Sequence, residues 1–444
     1  MLRPLRSVLI TMLVITTCGW LLLGQRSESG HKASADVLEA KGPHKWYRGN
    51  IHTHSLWSDG DDYPEMIALW YKQRDYDFLC FTDHNVLPAT ERWSDVLENK
   101  GGQRAYDKLR DQFADEWIDE RTVNGRREVR LKTFAEVSDR LAERGKFLLI
   151  QGEEISDRFG NVPIHLNVTN IRELIPPLGG GSVREAMQNA VNAAIAQSER
   201  TGEPMLVHLN HPNFHYAITA EDLMRVRGEN FFEVYNGHTG VNNSGDDVHP
   251  SAERIWDIML TRRVAELRMP LMYGLAVDDG HNYHDIPSRG YEPGRGWVMV
   301  LADGLSPGGL IDAMERGRFY SSSGVALAKV ASTADGIDLE IEAEQGTSYR
   351  IDFVGTRKGY DAASQPVLAE DGTPLHVTRT YSNDVGQLFK SISGTRASYR
   401  FTGDELYVRA VVTSSKRHPN PSELGDFEQA WVQPVHGPAA PAAE

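Results

Sequence analysis

Short apolar runs that finish in histidine, aspartate or glutamate recur along most of this chain, and they alternate with helical stretches. The runs are "RGNIHTH", "DFLCFTDH", "KFLLIQGEE", "VPIHLNV", "MLVHLNHP", "FFEVYN" and "LMYGLAVDD". Several are apolar at consecutive positions, the pattern of strands covered on both faces. Between them, "DYPEMIALWYKQRD" predicts a helix with Pro64 in its first turn after Asp62 or Tyr63. "SVREAMQNAVNAAIAQSERTG" predicts another, opened by a capping box of Ser182 and Glu185 and closed near Gly202. Strand and helix in alternation predict a parallel α/β sheet, open or closed, over residues 43–325. After that the pattern changes. "GIDLEIEAEQGTSYRIDFVGT", "TPLHVTRTYS", "ASYRFTG" and "ELYVRAVVTSS" alternate at period two, which predicts a compact antiparallel domain over 326–434. The Pro/Ala-rich end, 435–444, is expected to be disordered.

A chain of 444 residues has room for a domain of about 250 residues and a smaller one. Its net charge of −15 disfavours a nucleic-acid polyanion as main partner, because phosphate backbones are bound by clustered Lys and Arg. A small molecule is the expected partner. The start, "MLRPLRSVLITMLVITTCGWLLLG", has arginines ahead of an apolar run, the order of an export signal. Residues 1–35 are therefore read as a signal peptide or, uncleaved, as a membrane anchor through 8–24. Ala33-Ser34-Ala35 fits a cleavage site but lies well past the run, so both outcomes stay open. Either places the body of the chain in the periplasm or outside the cell. Cys80 is then the only cysteine of the mature chain, excluding an intrachain disulfide, and "DFLCFTDH" gives it a buried apolar role.

In "IHTHSLWSDG", His52 and His54 are two apart and would project from one side of a strand, as a metal ion requires of a rigid ligand pair. Two exposed histidines would give the same spacing. Recurrence argues for the site: "TDHN" supplies Asp83 and His84, "GEEIS" Glu153 and Glu154, "IHLN" His165, "HLNHPN" His208 and His211, and "VDDGHNYH" Asp278, Asp279 and His281. In a closed α/β barrel such strand ends converge on one face. Imidazoles and carboxylates without thiolate suit Zn, Mn, Fe or Mg. By alternation Asp279 and His281 share a face while Asp278 and Glu153 point away. His208 is expected to be packed or to support a ligand, and Asp83 to orient one. Loop residues His238, His249 and His284 lie on or near the same face and could touch substrate, but are assigned to the surface, and His376, His418 and His436 lie outside the site.

The set "HTHSLWSDG", "FTDHN", "GEEIS", "IHLN", "NHPN" and "DDGH", in this order over roughly 45–325, resembles the PHP (polymerase and histidinol phosphatase) superfamily of metal-dependent phosphoesterases. The resemblance implies a distorted (β/α)7 TIM-like barrel holding up to three divalent ions (Zn, Mn or Fe), here followed by a small antiparallel β-sandwich-like domain. It implies nine ligands: His52, His54, Asp59, His84, Glu154, His165, His211, Asp279 and His281. One ion would take His52, His54, Glu154 and Asp279, with Glu154 bridging to a second on His165 and His211 and a third on Asp59, His84 and His281. Glu154, Asp279 and His281 are the catalytic candidates. "RGRFYSSSG" at 316–324 resembles the closing segment of larger extracytoplasmic members.

Neighbouring metals lower the pKa of a bridging water and neutralise charge building on phosphorus, so hydrolysis of phosphomono- or diesters needs no side-chain nucleophile. No P-loop, GxSxG elbow or dinucleotide fingerprint is present, and "LGGGS" at 178–182 reads as a loop. Arg158, Arg289 and Arg295 are candidate phosphate clamps, and Glu233 and Asn236 candidate substrate or supporting contacts. Two alternatives remain open: an amidohydrolase-type C–N or C–O hydrolase, and a metal-containing binding protein of the cell envelope without activity.

Overall fold

The computed structural model describes residues 36–41, 44–333 and 335–442. The signal or anchor segment lies outside them, and among the described residues no helix is long and apolar enough to cross a membrane.

The punctuation read from the sequence sets the helix ends. Pro64 occupies the first turn of the Pro64–Lys72 helix, after an extended Tyr63 (φ −69°, ψ 143°). Ser182 caps Val183–Thr201 by accepting from the Glu185 amide, and Gly202 closes it in the left-handed region (φ 70°). The Glu185 carboxylate bonds the amide of Gly181 at 2.8 Å rather than that of Ser182, so the predicted reciprocal box is displaced by one residue. These helices cover a mixed sheet of thirteen strands.

The first part of that sheet departs from the expected barrel. Lys45–Asn50, Phe78–Phe81 and Leu148–Phe159 pair in parallel, as do Leu206–Leu209, Phe231–Asn236 and Tyr273–Val277. Between these blocks, however, Val162–Thr169 runs antiparallel to both neighbours. The cause is local. Phe159 pairs with Val162, leaving Gly160 and Asn161 as a two-residue turn, with Gly160 at φ 59° in the first central position that a type II′ hairpin reserves for glycine. A hairpin reverses the chain where a helical crossover would have kept it parallel. Nor does a strand ladder close the sheet. Its two regions are joined by an isolated parallel bridge, Thr53 to Gly280, flanked by bonds from the Asp279 amide to the His52 carbonyl and from the His54 amide to the Gly280 carbonyl, both 3.0 Å, and by the Ser321 and Gln433 side chains, which bond the backbone of Gly274 and Ala276.

The sheet then runs on into the later part of the chain. Phe319–Ser322 pairs with Phe427–His436, which pairs with Glu405–Arg417, Tyr349–Arg357 and Gln387–Ser393 beyond it. Over this end lies a four-stranded sheet that includes Asp36–Glu39, Leu327–Thr333 and Gly336–Ile341. Val330, Ile337, Leu339, Ile351, Phe353, Val408 and Val412 form the core shared by the two sheets. A buried ion pair, Arg409 with Asp257 (2.7 and 2.8 Å), fastens the Ala252–Arg262 helix to Glu405–Arg417. The tail expected to be disordered is fixed as far as Ala440: Val435 and His436 extend the last strand, and the amides of Gly437 and Ala439 bond Leu406 and Glu405. Carbonyls at the start of Glu405–Arg417, past the end of the Phe427–His436 pairing, supply acceptors that composition does not reveal.

Candidate metal centre

His52 and His54 lie just beyond the Lys45–Asn50 strand, in extended backbone held by the bridge to Gly280 and by the Asn50 side chain, which accepts from the His52 amide at 3.0 Å. Their rings face the same interior space with centroids 5.2 Å apart. Glu154 enters from the middle of Leu148–Phe159 and Asp279 from the turn after Val277. Asp279 adopts φ 51°, a left-handed conformation costing a non-glycine residue about 1–3 kcal/mol unless its surroundings fix it. This turn, rather than strand alternation, separates the two aspartates. Asp278 faces away, as expected, and accepts from Tyr71 Oη at 2.7 Å and from the amides of Arg295 and Gly296.

Four atoms converge. His52 Nε2 lies 3.3 Å from Glu154 Oε2 and 3.2 Å from Asp279 Oδ1, and His54 Nε2 is 3.1 Å from each. Glu154 reaches further groups with both oxygens: Oε1 is 2.9 Å from His165 Nδ1 and 3.4 Å from His211 Nε2, and Oε2 is 3.0 Å from His84 Nδ1. On the outer side Asp59 Oδ1 meets His281 Nε2 at 3.1 Å and His84 Nε2 at 3.5 Å. All nine side chains singled out in the sequence thus share one cluster.

The donor set fits divalent cations. Ligands held about 2.0–2.1 Å from a common tetrahedral centre lie about 3.3 Å from one another, close to the spacing of the first four atoms. His52 Nε2, His54 Nε2, Asp59 Oδ1, Glu154 Oε2 and His165 Nδ1 are buried without a hydrogen-bond partner, a state that buried polar atoms avoid unless an ion or water completes them. Burial alone would raise the Glu154 carboxyl, yet His84, His52 and His165 hold it well below the usual carboxylate range. Burial lowers the His52 imidazole, but Asp279, Glu233 and Glu154 more than reverse this and raise it well above its ordinary value. A cation and the histidine protons compete for this site.

A supporting layer fixes the rings; Glu233, Asn236 and His208 stand in it as the sequence suggests, and Asn210 joins them unannounced. Glu233 Oε1 accepts from His52 Nδ1 (2.6 Å) and His208 Nε2 (3.1 Å), and Oε2 accepts from the His211 amide (2.8 Å). His52 then presents its Nε2 lone pair inward. Asn210 Nδ2 donates to Glu154 Oε1 at 2.8 Å, and Asn236 Nδ2 to Asp279 Oδ2 at 3.1 Å. The asparagines follow apolar runs just as the ligands do, which was the available signal. Asp83 holds the amide and hydroxyl of Ser55 and the hydroxyl of Ser58, and approaches His54 only through Ser58 Oγ, 3.4 Å from Nδ1. His281 Nδ1 bonds the Asp279 carbonyl (2.8 Å), and His84 Nδ1 bonds Ser156 Oγ (2.6 Å). Lys100 Nζ bonds the other Asp59 oxygen at 3.2 Å.

Other expectations divide. Glu153 points away and accepts from the Ile175 amide, its carboxyl pushed up to about 7 by burial. His238 is not a surface residue: its ring is buried 3.6 Å from that of Tyr291 and 5.4 Å from that of His281, and burial lowers it to about 4. Arg295 is no phosphate clamp. It is fully buried and spent on the carbonyls of Gly237, Gly290 and Asn420, with Glu292 as counter-ion. His249 pairs with Asp246, and His284 bonds the Asp61 carbonyl.

The chain resembles PHP-like metal-dependent phosphoesterases. A two-domain protein from Bacteroides vulgatus, described as containing a predicted PHP-like metal-dependent phosphoesterase, is 15% identical over 88% of this chain and 96% of its own, with a TM-score of 0.39. A protein from Bifidobacterium adolescentis provisionally described as a metal-dependent phosphoesterase is 12% identical over 52% of this chain and 87% of its own (TM-score 0.28). An amidohydrolase from Chromobacterium violaceum is 18% identical over 35% of this chain and 39% of its own (TM-score 0.16). No family profile and no curated protein matches.

Proposed function

We infer that the protein is a divalent-metal-dependent hydrolase of phosphate esters. The observation that carries this reading is the convergence of His52 Nε2, His54 Nε2, Glu154 Oε2 and Asp279 Oδ1 at 3.1–3.3 Å, three of them buried without a hydrogen-bond partner. When bound there, divalent ions supply Lewis acidity and an activated water at neutral pH. The chain's own residues do the positioning. Glu154 spans two groups of histidines with its two oxygens, and Glu233 and the Asp279 carbonyl set which nitrogen His52 and His281 turn inward. Asp59 divides its oxygens between His281 and Lys100, so one edge of the centre lies beside an exposed ammonium suited to an anionic substrate.

The test is metal content by mass spectrometry alongside turnover of 4-nitrophenyl phosphomono- and diesters, with carboxylate esters and amides in parallel. Stoichiometric metal with phosphoester turnover is expected. Turnover of carboxylate esters or amides alone would replace the reading with C–N or C–O hydrolysis, and bound metal with no turnover on any substrate would leave a binding protein. Export to the periplasm or cell exterior belongs to this proposal; the check is whether protease added outside the inner membrane of intact cells digests the body of the chain, and the mass of the exported chain tells a cleaved signal from an anchor.

A further inference from the structure

The hairpin that carries Glu154 and His165 extends past the centre, paired in register as far as Phe159 and Val162. Side chains alternate along it, so Glu154, Ser156 and Arg158 lie on one face. Glu154 and Ser156 already contact the histidines, and Arg158 continues that face roughly 13 Å of strand beyond Glu154, too far for one phosphoryl group to touch both. A cleft of about 670 Å³ opens there, lined among others by Ser156, Arg158, His165, Phe214 and His215. That volume suits a small organic ligand.

Two of its walls have no role in the metal centre. The Arg158 guanidinium is exposed and has no hydrogen bond, ion pair or ring contact among the described residues. Its neighbour Asp157 does not neutralise it, being committed to the amides of Gly179 and Arg158, both at 2.7 Å. Phe214 sets a half-buried phenyl ring opposite, 5.2 Å from the ring of His211 and 6.2 Å from that of His165. The two residues after it, His215 and Tyr216, are both left-handed (φ 52°), a conformation that non-glycine residues keep only when the surroundings impose it. Those surroundings are present: Tyr216 stacks on His249 at 3.7 Å, and Asn213 Nδ2 bonds the carbonyls of Asn242 and Pro250. An aromatic face on a fixed segment and an unpaired cation facing the same cleft add nothing to the binding of phosphate alone.

We propose that this cleft holds the non-phosphate part of the substrate, a phosphate ester of a planar unsaturated ring bearing a second anionic group, with the ring against Phe214 and the anion on Arg158. The proposal rests on the phosphoesterase reading and specifies its substrate class.

The test compares kcat/KM of the metal-loaded full chain on esters with matched leaving groups: benzyl against cyclohexylmethyl phosphate for the ring, and 4-carboxybenzyl against 4-methylbenzyl phosphate for the anion. The native protein is expected to prefer the planar ring by about fivefold. It should prefer the carboxylate by at least about tenfold. Phe214→Leu should abolish the first preference and Arg158→Gln the second, while Arg172→Gln, a surface control paired with Glu203, keeps both. Turnover without either preference in the native protein, or preferences that survive both substitutions, overturns the proposal and leaves the phosphoesterase reading standing. If no ester is turned over, calorimetry with benzylphosphonate, cyclohexylmethylphosphonate and their 4-carboxy and 4-methyl counterparts reads the same ratios. Arg158- and Phe214-dependent binding then supports the cleft while the phosphoesterase reading falls, and its absence removes both.

Discussion

Glu154, among the histidines, and Glu65, on the Pro64–Lys72 helix, are each 1% exposed. Burial raises the pKa of both, and what separates them is their neighbours. Around Glu154 the imidazoles of His84, His52 and His165 overcome the loss of water and keep the carboxylate ionised. Glu65 has one bond from Trp117 Nε1 (3.0 Å) and an Oε2 without a hydrogen-bond partner, and its carboxyl is pushed up to about 7. Equal burial therefore makes one carboxylate a place for cations and leaves the other protonated in acid.

The strongest way to break this contrast is Glu154→Gln. It removes the charge on which the histidines converge, and phosphoester turnover should fall at least ~1,000-fold, beyond the loss usual for a group that only supports a ligand. A chelator should lower the melting temperature of the native protein and leave that of Glu154→Gln unchanged. Glu65 sharpens the contrast from the other side. Its folded pKa lies above the ordinary 4.5, so its contribution is fully present below about pH 4.5 and is lost as pH rises through about 7. Because Glu153, Asp62 and Glu229 are raised to about 7 as well, the Glu65 share is read as a difference: between pH 5 and pH 8 the native protein should lose up to about 3 kcal/mol more than Glu65→Gln in chemical denaturation. Glu233→Gln should weaken metal binding about 10- to 100-fold in competition with a chelator, because the His52 Nδ1–H loses its carboxylate. Ser156→Ala, which removes the bonds to His84 Nδ1 and to the Glu154 carbonyl, should cost about 1 kcal/mol, read as a roughly fivefold fall in kcat/KM.

The contrast also separates what was legible in the sequence from what was not. The cluster residues stand where apolar runs end, and a strand end fixes the direction of a side chain within a residue or two, so His52, His54, Glu154 and Asp279 were readable as a group. The sheet direction was not read correctly, although "RFGNV" carried its signal: a two-residue turn led by Gly160 makes a hairpin, and the hairpin places Ser156 opposite His165. Glu233, Asn210 and Asn236 were legible only as polar residues at strand ends, because whether such a group binds a metal or a ligand's far nitrogen depends on an ångström of depth. Glu154 stands at a strand end and Glu65 in the first turn of a helix, but their opposite charge states are set by the residues folded against them from distant parts of the chain.

The shared sheet limits how this chain can be divided. A cut near residue 325 would remove Phe427–His436 from Phe319–Ser322 and leave a row of bare amides and carbonyls facing water. Such an edge recruits other strands, so the severed front part would tend to self-associate instead of standing alone. A front part standing alone would need a new strand or a shielding helix over that edge.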